Sequence, residues 1–302
     1  IKARCAPAVT RKENRAYHVM RQAIARAPYH RGLVKEYSSQ VYMKGSVAVS
    51  KIPALLRAQA GKSTTDLLLN NTLLLESQSN ILFKWPNSYD ETVVAYSSTI
   101  PEDIVDPSDI TAIVNSSVYD REFYGKLSPL APEAFSYYQF IYEGVSQEEG
   151  RVINKIRIVP KKGDSKLISG HIYIADDLWN ITYARFFLRE TGIEIDLKVN
   201  YNETIPEVMM PTSYAIDVNI SLMGVRAKGS YNSSITYNSV NKGMGADLKT
   251  ELLSQEEFST KREARSFARE SSKSIEQEIT AVAKEEQKEP RRSDLEIVKV
   301  GS

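Results

Sequence analysis

Apolar and polar residues alternate with a period of two along much of the chain beyond Tyr37, the pattern of strands with one dry and one wet face. In the first such run Val41, Met43, Val47 and Val49 alternate with Tyr42, Lys44, Ser46 and Ala48, and Gly45 is a candidate bulge. Further strands are expected near residues 71–76, 80–85, 91–98, 137–144, 151–160, 168–175, 179–190, 193–201, 213–223 and 225–238, about eleven in all. The alternation is cleanest where Ile195, Leu197 and Val199 oppose Glu194, Asp196, Lys198 and Asn200. It is equally clean where Ile216, Val218 and Ile220 oppose Asp217, Asn219 and Ser221. These two sets are expected to share one face of neighbouring strands. Turn chemistry at Pro86-Asn87-Ser88, Glu149-Gly150, Lys162-Gly163-Asp164, Asp176-Asp177 and Thr191-Gly192 separates the runs by short links, which implies an antiparallel meander.

The period changes to that of a helix at the start of the chain. Tyr17, Met20, Ile24 and Ala27 recur on one face, with Arg15, Arg21 and Arg26 elsewhere, and Pro28 is expected to end this helix of 14–27. Residues 1–35 carry nine basic side chains against the single acid Glu13, so the segment is either a contact for an anionic surface or a solvated cationic face on a helix packed against the sheet. The packed reading is the expectation, because a narrow apolar stripe needs a core. Residues 52–60 and the proline-punctuated stretch 101–135, for example Pro107 to Asn115, also read as short helices. The fold class is therefore mainly β with packed helices: a curved antiparallel sheet of about eleven strands forming an unclosed barrel, with the helices over its dry side.

Composition narrows the chemistry. Thirty-nine Lys and Arg balance 38 Asp and Glu, far from the basic excess that nucleic acid would require. Tyrosine, at 17, outnumbers Phe and Trp together, which suits half-dry pleated surfaces. The three histidines, His18, His30 and His171, stand apart, and Cys5 is the only cysteine, so neither a disulfide nor a transition-metal motif is expected. No GxSxG, GxxxxGK[ST] or GxGxxG occurs. Acids at Glu102, Asp103, Asp106 and Asp109 are explained by helix capping ahead of Pro107. No cofactor and no enzymatic reaction are expected. After Gly243 and Gly245 the composition shifts: 247–292 is densely charged and contains no glycine, as a helical linker would be. Three parts are thus expected: a linker over 1–13, the unclosed-barrel domain over 14–243, and a charged linker over 244–302.

Several motifs recur in order: Glu13-Asn14, Ala27-Pro28-Tyr29-His30, Val41-Tyr42-Met43-Lys44-Gly45, Glu76-Ser77-Gln78-Ser79, residues 134–140, residues 153–161, and Gly170-His171-Ile172-Tyr173-Ile174-Ala175-Asp176-Asp177. As a set they resemble a family of Bacteroidetes outer-membrane proteins whose full chains open with a carboxypeptidase-regulatory-like β-sandwich and close with a large β-barrel. The resemblance implies the middle, periplasmic portion of such a chain, at the periplasmic face of the outer membrane, with the sandwich and the barrel as its partners. It implies no reaction. A basic helix followed by a long meander also resembles the unclosed barrels of lipoprotein carriers of the LolA/LolB kind, at the level of architecture only.

Two functions follow. The dry concavity could hold an acyl chain of a lipid or lipoprotein, with each buried CH₂ worth ~0.8 kcal/mol; Ile195, Leu197, Val199, Ile216, Val218 and Ile220 would line it and Phe83 and Trp85, two apart on one face, would form its mouth. Alternatively the helices fill the concavity, and the domain is a periplasmic scaffold or protein-interaction module. An open apolar pocket of several hundred Å³, roughly the size of ordinary ligand sites, favours the first; a packed interior favours the second.

Overall fold

The structure, a computed structural model, describes residues 11–86, 88–100, 115–148 and 150–243, and of residues 11–14 the backbone alone. Helix α1 (Arg11–Gly32) leads into β1 (Val34–Lys51), the short helices α2 (Ala54–Ala60) and α3 (Lys62–Asn70), then β2 (Thr72–Lys84) and β3 (Ser88–Ser98). A small hairpin, β4 (Glu122–Phe123) and β5 (Lys126–Leu127), and the single turn α4 (Ala134–Tyr137) precede β6 (Tyr138–Glu148), β7 (Arg151–Pro160), β8 (Ser169–Ala175) and β9 (Ile181–Glu190). The chain then runs through β10 (Ile193–Ile205), β11 (Val208–Leu222) and β12 (Val225–Lys242). Ten strands form one antiparallel sheet in the order β3-β2-β1-β12-β11-β10-β9-β8-β7-β6. Its two edges, β3 and β6, do not pair, so the sheet is unclosed.

Ten strands laid flat at ~4.8 Å spacing would span over 40 Å. Yet inward residues of β1, β2 and β6 through β12 belong to one core cluster with Ala16, Met20, Ala23, Ile24 and Ala27 of α1. The sheet therefore wraps its helix. At its N-terminal end α1 meets the β6–β7 side, where Tyr17 lies 6.4 Å from Phe140 and Arg15 Nη2 donates to Asn154 Oδ1 at 3.3 Å. Its C-terminal end reaches β2, where the Arg31 guanidinium lies 5.8 Å from the Phe83 ring. A helix of 22 residues is ~33 Å long, enough to cross the sheet diagonally.

Four sequence expectations change. Residues 71–76 and 80–85 are not two strands but one, β2, because it pairs with β1 from Glu36↔Lys84 to Ala48↔Thr72 and Ser77 and Ser79 take buried inward positions opposite Met43 and Val41. The sheet thus has ten strands rather than about eleven. Pro28 lies inside α1 rather than ending it. An interior proline costs a helix ~3 kcal/mol, and burial of Ala27, Tyr29 and Leu33 beyond it offsets that cost. The cationic face is not solvated at its centre: Arg21 and Gln22 are buried beside the apolar stripe. The described part of 101–135 holds the β4–β5 hairpin and α4, with Val118, Phe123 and Leu130 packed into the core; the expected helix from Pro107 falls almost wholly outside the described residues, as does the charged segment 244–302. The expected helix at 52–60 is α2, and α3 follows it.

The matched alternation of β10 and β11 is realised in register. Ile195 sits opposite Val218, Leu197 opposite Ile216, Ile193 opposite Ile220, and Val199 opposite Tyr214. Leu197 and Val199 are buried, while Val218 and Ile220 are half-buried near the strand end. Val218→Asp is expected to cost about 1–3 kcal/mol of stability by placing a carboxylate on this face. An unchanged urea midpoint would place Val218 off the core face.

Candidate functional site

Where α1 ends beneath the rim of the sheet, aromatic side chains from distant segments converge. Tyr37 of β1 stacks on Phe83 of β2 with ring centroids 5.0 Å apart, and Tyr237 of β12 meets Tyr37 edge-on at 5.2 Å. Tyr89 of β3 lies 4.9 Å from Phe83, and Tyr119 lies 5.3 Å from His30. With Tyr201, Val208, Met209 and Met210 these residues line a cleft of about 90 Å³. Arg31 closes one side. Its guanidinium lies 5.1 Å from the Trp85 ring, pairs with Asp120 through Nε at 2.6 Å, and donates from Nη2 to the Pro86 carbonyl at 3.0 Å. Trp85 is half-buried beside this cation, and Phe83 is buried.

Burial sets the electrostatics of the cleft. It pushes the phenols of Tyr37, Tyr119, Tyr201 and Tyr237, and of Tyr214 in the core behind them, above their ordinary range, so all stay neutral hydroxyls. It pushes His30 down to about 4, against a smaller opposing effect from the hydrogen bond its Nε2 makes to the Leu178 carbonyl at 2.9 Å. A histidine whose folded pKa lies below its unfolded value contributes stability that is complete above pH ~6.5 and is lost as pH falls toward 4, because the unfolded chain takes up the proton first. The unfolding midpoint is therefore expected to fall over that window. His30→Gln, which keeps a donor for Leu178, should flatten that part of the pH profile; an identical profile would show that His30 is not the group responsible.

Of the eight residues expected at a ligand site, Phe83 lines this cleft and Trp85 flanks Arg31 beside it. Ile195, Leu197, Val199 and Ile216 lie elsewhere, packed into the core cluster, Val218 packs against it, and Ile220 is half-buried near the end of β11, lining neither this cleft nor the cluster. Of the cleft residues not foreseen, Tyr37, Tyr89, Tyr119, Tyr201 and Tyr237 share one sequence signal, the excess of tyrosine over other aromatics, whereas His30 and Arg31 carry none. Among the described residues no three His, Cys, Asp or Glu side chains converge as metal ligands, and no helix is long and apolar enough to cross a membrane.

The chain has loose structural likenesses. A DUF1329 family protein from Desulfovibrio piger shares 12% identity, with 76% of this chain and 94% of that one covered, at a TM-score of 0.29. A LolA superfamily protein from Nitrosomonas europaea shares 10% identity over 73% of this chain and 94% of its own, at 0.27. In the MucA/MucB complex of Pseudomonas aeruginosa one chain shares 7% identity, over 74% and 99%, at 0.22. Scores this low transfer neither ligand nor partner. No curated protein matches the chain. Residues 19–238, from the third turn of α1 to near the end of β12, match one family throughout, and the chain belongs to it: the family of unknown function DUF5686.

Proposed function

We propose that this domain is a non-enzymatic, periplasmic interaction module of an outer-membrane protein, acting through its surface rather than by storing an acyl chain. The observation that carries the proposal is the occupancy of the concavity. Ala16, Val19, Met20, Ala23, Ile24 and Ala25 of α1 are each at most 1% exposed, so the dry side of the sheet is filled by the chain's own helix. The cleft at the end of α1, at about 90 Å³, is well below the roughly 300 Å³ at which ordinary ligand sites begin. Neutral tyrosines and a paired Arg31 at the rim are the side chains found at protein contacts, where Tyr, Trp and Arg predominate. The periplasmic setting, with a β-sandwich before the domain and a barrel after it, is supported by the resemblance of its motifs and remains part of the proposal.

Native mass spectrometry of the domain isolated from its own periplasm tests this reading. The expected spectrum is that of the bare chain. A co-purifying acyl lipid, released by solvent extraction, would return the function to lipid carriage.

A further inference from the structure

A second cleft lies on the other side of the wall formed by Tyr201 and Met209, which line both. Its volume is about 940 Å³, within the roughly 300–1,000 Å³ of ordinary ligand sites. Across its floor run directly paired residues, Tyr173 of β8 opposite Tyr183 of β9 and Tyr183 opposite Asn200 of β10, and the same row continues past the cleft to Lys155 of β7 opposite Tyr173 and Ser213 of β11 opposite Asn200. These positions alternate along their strands with buried core residues such as Ile172, Ala184 and Val199, so the row faces outward. The β10–β11 hairpin rises at one end, where Arg151 bridges Asp177 and Glu203, each at 3.2 Å.

The chemistry of the lining selects its ligand. Phosphate or carboxylate would need an unengaged cation, and the cleft's described cation, Arg151, is already shared between two carboxylates. Lys155 at the far end of the row is held by Glu143 at 3.0 Å. An acyl chain would bury neutral amides and carboxylates without partners. What the cleft does offer is two tyrosine rings at 80° to one another, their centroids 5.1 Å apart, beside amides fixed in orientation. Asn200 Nδ2 donates to Ser213 Oγ at 2.8 Å and Asn202 Nδ2 donates to Thr212 Oγ1 at 3.0 Å, which keeps each Oδ1 as an acceptor. A sugar ring presents C–H hydrogens, slightly positive, to the negative face of an aromatic ring, and hydroxyls at its edge to amides and carboxylates. We infer that this outward cleft over Tyr173 and Tyr183 is a binding site for a neutral saccharide. It stands independently of whether the concave side holds a lipid.

The test is titration of the isotope-labelled chain with maltotriose, cellotriose and the N-acetylglucosamine trisaccharide, followed by backbone amide shifts. At least one sugar is expected to give saturable shifts confined to the cleft residues of β7 through β11. Asn200→Ala, at an exposed position that cannot unfold the domain by losing core contacts, should weaken binding roughly tenfold, one lost charge-free contact of about 1.4 kcal/mol; Tyr173→Ala should weaken it further. No saturable shift with any of the three, shifts that map elsewhere, or unchanged affinity in Asn200→Ala would overturn the assignment. So would saturable binding of a peptide over the same residues in place of every sugar.

Discussion

Gly170→Ala is expected to destabilise the domain by about 3 kcal/mol or more, among the largest effects of any single methyl group in the chain. Gly170 lies in β8 between two partners, opposite Ile158 of β7 and Phe186 of β9. Its φ of +141° is one that residues with a Cβ rarely adopt, and a Cβ placed there would meet the Arg185 carbonyl oxygen at 2.0 Å. That oxygen belongs to the backbone of a central strand, so relief requires β8 and β9 to separate locally. The consequence reaches past the ladder, because Ile172, Ala184 and Phe186 on these strands are wholly buried in the core cluster. Urea unfolding followed by circular dichroism measures the loss. A midpoint within experimental error of the parent would show that the two strands are not held this closely.

Ile24→Asp is expected to leave no folded domain at ordinary temperature. Ile24 is 1% exposed at the middle of α1, flanked by Ala23 and Ala25, and an unpaired carboxylate there must be desolvated or protonated at a cost of several kcal/mol. That cost takes most of a typical domain stability of roughly 5–15 kcal/mol. Ile24→Val, which removes one methylene, should cost only ~1 kcal/mol. The pair separates a helix that merely rests on the sheet from one that is its core. If Ile24→Asp retained a cooperative transition near the parent's, α1 would not fill the concavity.

Much of this architecture was legible because strands with one dry face write their period into the sequence. The runs Ile193–Val199 and Ile216–Ile220 alternate without interruption, and the structure pairs them in the implied register. Where reading failed, long-range packing had overridden a local signal. Residues 77–79 read as a gap between two strands, yet full pairing with β1 carries one strand through them, and the small side chains of Ser77 and Ser79 take its buried inward positions. Pro28 reads as a stop, yet Tyr29 and Leu33 form a second small core with Val208 and Met210, and that burial keeps the last turn helical. The clefts were the least legible features. The first draws on α1, β1, β2, β3, the 115–120 loop, β10, β11 and β12, and the second on β6 through β11. Only the curling of the sheet brings those positions together, and a single sequence carries no record of which distant tyrosines will meet. Phe83 and Trp85 were recoverable because their spacing of two places both on one side, where Arg31 now lies near both rings.

Titration of the folded 302-residue chain with an environment-sensitive fluorescent fatty acid bears most directly on the claim that α1 fills the concavity. The predicted result is a linear, non-saturating rise in emission, the same for the parent and for Trp85→Asp, because the buried helix α1 occupies the dry side of the sheet where an acyl chain would lie. Saturable binding to the parent that Trp85→Asp abolishes would contradict it, placing an acyl chain past the Phe83–Trp85 mouth and α1 outside the concavity it is found to occupy.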